Sequence, residues 1–146
     1  MKTAVLYYTL SGSTKKEAER IAKELSADIF EIKELKKRTM FSAFLPGCPN
    51  AMSRKASKIL PIEAELSDYD KFVLCCPVWA SFPAPAFNAM LELIPKGKAV
   101  DAVLCSSGGD TSKSKEDTIV FIKSKGLVLS GYTDIKTFSE KPGNAE

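Results

Sequence analysis

Runs of apolar residues predict the strands of this protein. Three runs, at 3–8, 72–76 and 99–106, are nearly continuous, which is typical of strands covered on both faces as in a parallel sheet. The second of them ends abruptly at Pro77, because proline cannot donate to a strand ladder. We predict two further strands from weaker patterns: one at 28–34, and a last one that opens at 127–129 and continues towards 138.

Between the strands, apolar residues recur at the spacing of a helix. The first predicted helix, 14–26, has one apolar face and one charged face. A second begins behind Pro83 and Pro85, which suit a first helical turn, and runs to about Ile94. The last covers 113–125 and ends at Gly126 as its cap.

The stretch between the second and third strands is irregular. Pro46-Gly47-Cys48-Pro49 interrupts any long helix there and leaves two short pieces, 39–45 and 50–58. Whether residues 36–60 cover a ligand or form an ordinary surface loop stays open at this point.

Strands and helices therefore alternate along the whole chain. Such alternation predicts an α/β fold with a parallel sheet, right-handed crossovers and helices on both faces. The chain has 146 residues, and neither a repeat nor a linker divides it. We predict a single domain over residues 1–146.

Composition and charge narrow the functions to be considered. Lys and Arg number 21 against 18 Asp and Glu, a balance that does not indicate nucleic-acid binding. The absence of histidine removes the commonest general base and the commonest metal ligand. The four cysteines, at 48, 75, 76 and 105, lack metal-ligand spacing. We interpret the cysteines as buried free thiols, with a metal or redox pair as the alternative, and we predict no metal site and no catalytic side chain.

The amino terminus enters a strand at once and shows no signal-peptide layout, and no apolar run approaches the length that spans a bilayer. We expect a cytoplasmic protein with no membrane partner.

The corner between the first strand and the first helix, Thr9-Leu10-Ser11-Gly12-Ser13-Thr14, holds four hydroxyls and one glycine. A helix start presents backbone N–H groups and a partial positive charge, so this corner is suited to a phosphate monoester. The Walker and dinucleotide-binding glycine motifs are both absent. The alternative is that Ser13 or Thr14 simply caps the helix.

In an open parallel sheet, ligands bind beyond the carboxyl ends of the strands, where the strand order reverses. Three loops meet this description: 9–14, 77–83 and 106–110. The only tryptophan, Trp79, lies in the second. We call them the first, second and third loops.

Three stretches carry a family resemblance: "YYTLSGSTKKEAERIAKEL", "YDKFVLCCPVWASFPAP" and "VLCSSGGDT". In this order and spacing they resemble flavodoxins and flavodoxin-like flavoproteins, over most of residues 1–125. The resemblance implies a doubly wound five-stranded sheet of order 2-1-3-4-5 and bound FMN. The first loop would hold the ribityl phosphate, the second would line the isoalloxazine ring with Trp79 stacked on it, and the third would approach the pyrimidine edge, with Asp110 placing a negative charge near the ring. The implied cofactor-binding residues are Thr9, Leu10, Ser11, Gly12, Ser13, Thr14, Pro77, Val78, Trp79, Ala80, Ser81, Phe82, Ser106, Ser107, Gly108, Gly109 and Asp110.

Alternatives remain for two of these assignments. Trp79 could be packed for burial alone, and Gly108-Gly109 could be a plain turn.

The chain departs from the family pattern in two places, and the first combines charge and the third loop. The chain is slightly basic, whereas electron-carrier flavodoxins are typically acidic, and the third loop lacks the aromatic residue that covers the second flavin face. The first hypothesis is a flavin electron carrier that meets a redox partner protein. The alternatives are an FMN-dependent NAD(P)H:quinone-type oxidoreductase, whose substrates would be a nicotinamide and a quinone, and a flavin-free module that binds another anion.

The second departure is the tail after Phe138, which is too short and too broken for the usual last helix. Without that helix we expect Leu127, Leu129 and Ile135 to be partly bare, and we predict a homodimer that covers them.

Overall fold

The computed structural model describes residues 1–39 and 42–137, and a parallel sheet forms its centre. The strands are β1 (Thr3–Tyr7), β2 (Asp28–Glu31), β3 (Lys71–Trp79), β4 (Phe82–Pro83), β5 (Ala99–Ser106) and β6 (Val128–Lys136). The α-helices are α1 (Ser13–Leu25), α2 (Cys48–Met52), α3 (Pro85–Leu93) and α4 (Lys115–Ser124). A π-helical turn at Ala43–Gly47 precedes α2, and a 3₁₀ turn at Leu66–Asp68 precedes β3.

The sheet has the strand order β2-β1-β3-β5-β6, with all neighbours parallel. Strand β4 contains two residues and pairs antiparallel with the end of β3. The five parallel strands thus confirm the expected order 2-1-3-4-5, with β5 and β6 as its fourth and fifth strands. The order reverses between β1 and β3, which is the position at which doubly wound sheets bind ligands.

Alternate residues of the central strands supply two separate cores. On one face, Val5 and Val73 pack under α1 in a small cluster that also contains Cys75. On the other face, Phe72 packs with residues of α3 and α4 in a larger cluster that also contains Cys76. Neighbouring residues of β3 therefore serve opposite cores, as strand geometry requires.

Strand β3 is longer than the sequence pattern predicts, and its predicted end at Pro77 was wrong. Pro77 pairs in register with Cys105 of β5. Its carbonyl accepts a hydrogen bond from the Ala84 amide, at 3.0 Å, so its backbone polar side faces the chain that returns through β4. Strand β1 has already ended at this level, so the missing N–H of proline breaks no bond of the parallel ladder.

The irregular segment between β2 and β3 forms a crossover whose two ends are hydrogen-bonded to each other. We call this pairing the neck. At the neck, the Leu35 amide donates to the Lys58 carbonyl and the Leu60 amide donates to the Lys33 carbonyl, both at 2.8 Å. We call residues 36–39 and 42–57 the crossover segment. Its Ser57 amide donates to the carbonyl of Pro85, where α3 begins.

The burial of residues in and next to β6 tests the prediction that three apolar residues near the end of the chain are partly bare. Leu127 is buried, and Leu129 is half-buried against the larger core. Ile135 is half-buried against the smaller core. The prediction is therefore confirmed for Leu129 and Ile135, and it was wrong for Leu127, which packs in the larger core with residues of α3 and α4. The homodimer itself stays a prediction.

The expected absence of a last helix concerns residues 138–146, which lie outside the described residues. Within residues 1–39 and 42–137, no helix combines the length and the apolar character that crossing a bilayer requires.

Candidate functional site

The three loops lie side by side at one edge of the sheet. They follow β1, β3 and β5, which are neighbouring parallel strands, so their carboxyl ends meet at the same edge. Two contacts join the loops and their strand ends. The Tyr8 and Trp79 rings pack edge to face with centroids 6.0 Å apart, and Ser114, just after the third loop, donates to the Ser81 carbonyl at 2.6 Å. The sequence prediction that these loops form one site is therefore consistent with the geometry.

The first loop turns tightly into α1. Gly12 is the N-cap residue of this helix and has φ of +110°. No side-chain hydrogen bond caps the helix at this residue. The Gly12 amide donates to the Thr9 hydroxyl at 2.8 Å, which closes the turn. Neither Ser13 nor Thr14 caps the helix: α1 starts at Ser13, and no side-chain cap hydrogen bond is present. The simple capping alternative is therefore wrong.

The charge at the start of α1 is unusual for a helix. Its first turn contains no acidic residue, and Lys15 and Lys16 lie there instead. Positive side chains at the positive end of a helix dipole are unfavourable unless an anion is near. Ser11 is exposed, and a Cβ built on Gly12 would meet nothing within 4 Å, so the space in front of the turn is open.

The second loop is a two-residue hairpin. Val78 and Trp79 of β3 pair with Pro83 and Phe82 of β4, so only Ala80 and Ser81 form the turn. Both have positive φ, +52° and +71°, as in a type I′ turn, although neither is glycine. The Ala80 carbonyl and the Ser81 amide take part in no hydrogen bond within the described residues.

The other predicted residues of the second loop are less accessible. Pro77 and Val78 are buried strand residues, and Phe82 is half-buried. Trp79 has 0% of its surface exposed. The Arg38 guanidinium lies over the Trp79 ring, 5.4 Å from its centroid. A ring that stacks on a ligand needs an exposed face, so the geometry favours the alternative in which Trp79 is packed for burial.

The third loop is held by short-range hydrogen bonds. The Ser106 hydroxyl accepts from the Gly109 amide at 2.9 Å, and the Asp110 carboxylate accepts from the Ser112 amide at 2.7 Å. Gly109 has φ of +67°, and a Cβ there would lie 3.1 Å from the Lys136 side chain. The glycine is therefore explained by a turn and by contact with β6. Ser107 is half-buried, and Gly108 and Asp110 are exposed at this edge.

A buried polar group that the sequence analysis missed anchors the third loop to β6. The Thr111 hydroxyl donates to Asp134 Oδ1 at 2.7 Å, and the Thr111 amide approaches Oδ2 at 3.3 Å. The Tyr132 hydroxyl lies 2.5 Å from the same threonine oxygen. Burial raises the pKa of Tyr132. Tyr132 and Asp134 occupy alternate positions of β6, so the sequence indicates that they share a face of the strand. The sequence does not indicate that Thr111 is their partner.

A second group that the sequence analysis missed packs below Trp79. The Tyr8 hydroxyl donates to Glu34 Oε1 at 2.6 Å, and Arg38 Nε donates to the same oxygen at 2.7 Å. Burial, together with the hydrogen bond to Glu34, raises the pKa of Tyr8 far above its usual range. The crossover segment is thus bound to the end of β1 and covers the tryptophan.

The crossover segment is also bound to α4. Arg54 Nη2 lies 3.0 Å from Asp117 Oδ2 and donates to the Thr118 hydroxyl at 2.6 Å. Its guanidinium also lies over the rings of Phe82 and Phe121, 4.8 and 5.4 Å from their centroids. The question that the sequence left open is therefore answered in part: the segment packs over the second loop, and it is not a detached surface loop.

The chain is similar to known proteins in sequence and in structure. The chain is 27% identical to an uncharacterised protein of Archaeoglobus fulgidus over 130 residues, which is 89% of this chain and 82% of that protein. No family model matches the chain.

Two solved structures show the fold. The crystal structure of a flavoprotein in complex with FMN from Lactobacillus acidophilus NCFM is 23% identical, with a TM-score of 0.77 over 95% of this chain and 93% of that chain. Oxidised flavodoxin 2 from Bacillus cereus is 16% identical, with a TM-score of 0.56 over 99% of this chain and 88% of that chain. The strand order, the two layers of helices and these similarities together show that the chain has a flavodoxin-like α/β fold.

Proposed function

We propose that the protein binds FMN at the three loops and transfers electrons through it to a redox partner protein. The observation that carries this proposal is the start of α1, where a helix end without a side-chain cap hydrogen bond, two lysines and a glycine turn with positive φ lie at the strand-order reversal.

The first loop fits a phosphate monoester. Amides at the start of a helix, together with the hydroxyls of Ser11 and Ser13, offer several donors to an anion, and Gly12 leaves the approach open. Lys15 and Lys16 supply the positive charge that a doubly negative group requires. A bound phosphate would also remove the unfavourable charge pattern at this helix end.

The second and third loops fit a flat polar ring. In this proposal the Ala80 carbonyl and the Ser81 amide would pair with the ring edge, and the third loop adds small residues, Ser107 and Gly108, whose backbone the ring edge could approach. FMN supplies the redox chemistry when it is bound, and the protein contributes hydrogen bonds, orientation and local charge. This division of labour is consistent with a site that needs no histidine.

The runner-up, an oxidoreductase that uses NAD(P)H and a quinone, is favoured by one observation. Residues 106–115 are all small or charged, and none of them is aromatic. One face of the ring would therefore stay accessible to a second substrate. Steady-state oxidation of NADH or NADPH by the FMN-loaded protein with a quinone separates the two. A carrier gives the rate of free FMN alone, and a clear excess over that rate would replace the carrier proposal.

The flavin proposal itself is tested by reconstitution. The purified chain, incubated with excess FMN and then desalted, should keep a yellow, visible-absorbing flavin that denaturation releases. A protein that emerges colourless would favour the third hypothesis, a flavin-free module that binds another anion.

A further inference from the structure

One face at the start of α4 carries two polar residues that are buried. Ser114, Asp117 and Thr118 follow the i, i+3, i+4 spacing and therefore share a face at the start of this helix. Ser114 and Thr118 each have 0% of their surface exposed. Because a buried hydroxyl is unfavourable unless it is hydrogen-bonded, each needs a partner from a neighbouring element.

The partners of this face lie in and around the second loop. Ser114 Oγ donates to the Ser81 carbonyl at 2.6 Å, whereas its distance to the Thr111 carbonyl is 3.5 Å. A hydroxyl has one hydrogen, so the shorter contact takes it. Thr118 accepts from Arg54, whose guanidinium packs on Phe82. The face therefore reaches the hairpin turn directly through Ser114 and indirectly through Arg54.

The turn needs such support because its backbone is disfavoured. Residues with a Cβ rarely adopt positive φ, and here two adjacent ones do so. The pairing of Trp79 with Phe82 fixes the ends of the turn. The bond from Ser114 fixes the peptide that follows Ser81, and with it the direction of the neighbouring Ala80–Ser81 peptide.

Ser114 also connects this turn to the third loop. Its amide donates to the Thr111 carbonyl at 2.9 Å, and Thr111 is the residue that Asp134 anchors. The same residue thus contacts the second loop through its side chain and, through its backbone, Thr111, which directly follows the third loop. These two loops border the space in which the flavin ring of the proposed function would lie.

We propose that Ser114 is a positioning residue that sets the orientation of the Ala80–Ser81 peptide and the spacing between the second and third loops. Its effect on flavin binding rests on the proposed function, whereas its effect on the turn does not.

The test compares Ser114→Ala with Ser124→Ala in the full chain. Ser124 is a matched control, because its hydroxyl also donates to a backbone carbonyl at 2.6 Å, that of Phe121, at the opposite end of the same helix. Amide hydrogen exchange of the flavin-free proteins reports the turn directly. We expect the peptide spanning 79–84 to exchange at least tenfold faster in Ser114→Ala than in Ser124→Ala or the unmodified protein. FMN dissociation constants should rise about tenfold in Ser114→Ala alone, with a shift of the visible absorption band of the bound flavin.

Each outcome decides a separate point. Equal exchange at 79–84 in all three proteins would overturn the positioning of the turn. Faster exchange with unchanged FMN affinity and an unchanged absorption band would restrict Ser114 to a structural role and overturn the positioning of the flavin. If the unmodified protein binds no FMN, the proposed function fails, and the exchange measurement still decides whether Ser114 holds the turn.

Discussion

The first and second loops of the site are built in opposite ways. The first is held within itself: a glycine with positive φ, a bond from its amide to Thr9, and the helix that follows. The second is held from outside, by Ser114 on α4, by Arg54 of the crossover segment, and by pairing with β4. The contrast shows that one site combines a turn that its own sequence dictates with a turn that the rest of the fold must impose.

The largest expected effect comes from removing the external support of the second loop. Arg54 has 10% of its side chain exposed and contacts two rings and two side-chain acceptors, so Arg54→Ala should lower the free energy of unfolding by about 2–3 kcal/mol. Chemical denaturation of the flavin-free protein measures this value.

Asp117→Asn is the matched control for that prediction. Asp117 is 65% exposed, and an exposed ion pair contributes at most about 1 kcal/mol. Equal losses in the two variants would mean that the ion pair, and not the packing of Arg54 on the rings, supports the loop.

In the first loop, we expect a substitution of Gly12 to lower the unfolding free energy only through the backbone conformation. A Cβ on Gly12 meets no neighbour, so the loss in Gly12→Ala comes from its positive φ, about 1–2 kcal/mol. Gly108→Ala, also in open space but without positive φ, should change the unfolding free energy of the flavin-free protein by less than about 0.5 kcal/mol. A Gly12→Ala protein as stable as the unmodified one would show that the turn is not held in this conformation.

Tyr8, directly after β1, should make the protein less stable at alkaline pH. The raised pKa of Tyr8 means that the folded protein holds this proton more tightly than the unfolded chain. Its contribution is therefore complete below the ordinary tyrosine pKa of about 10 and is lost as the pH rises above it, by about 1 kcal/mol between pH 10 and 11.

Tyr8→Phe should lose correspondingly less over that interval. Denaturation curves of the two proteins at several pH values measure the difference, and they should run in parallel between pH 7 and 9. Identical slopes above pH 10 would contradict the buried bond between Tyr8 and Glu34.

The smallest expected effect is spectroscopic and concerns Trp79, which is the only tryptophan in the chain. A fully buried ring should be quenched by acrylamide much less than N-acetyltryptophanamide in the same buffer. Quenching close to that of the free compound would expose a ring face and restore Trp79 as a stacking partner for the flavin.

The sequence was sufficient for the parts of the molecule that depend on local pattern. Apolar runs and helical spacing predicted the order of strands and helices, with β5 matched at both ends, and the hydroxyl-rich corner at 9–14 was placed correctly between β1 and α1. Local patterns do not encode long-range contacts. The passage of β3 through Pro77, the burial of Trp79 under Arg38 and the contact of Arg54 with α4 all depend on residues distant in the chain.

The central claim is that the start of α1 binds the phosphate of FMN, and titrating the flavin-free protein with FMN and with riboflavin tests it most directly. The two ligands share the ring and differ in the phosphate, so the ratio of their dissociation constants isolates the first loop. We expect FMN to bind at least a hundredfold more tightly, about 2.7 kcal/mol, and this preference to shrink in Gly12→Ala. Equal affinity for the two flavins would contradict the account.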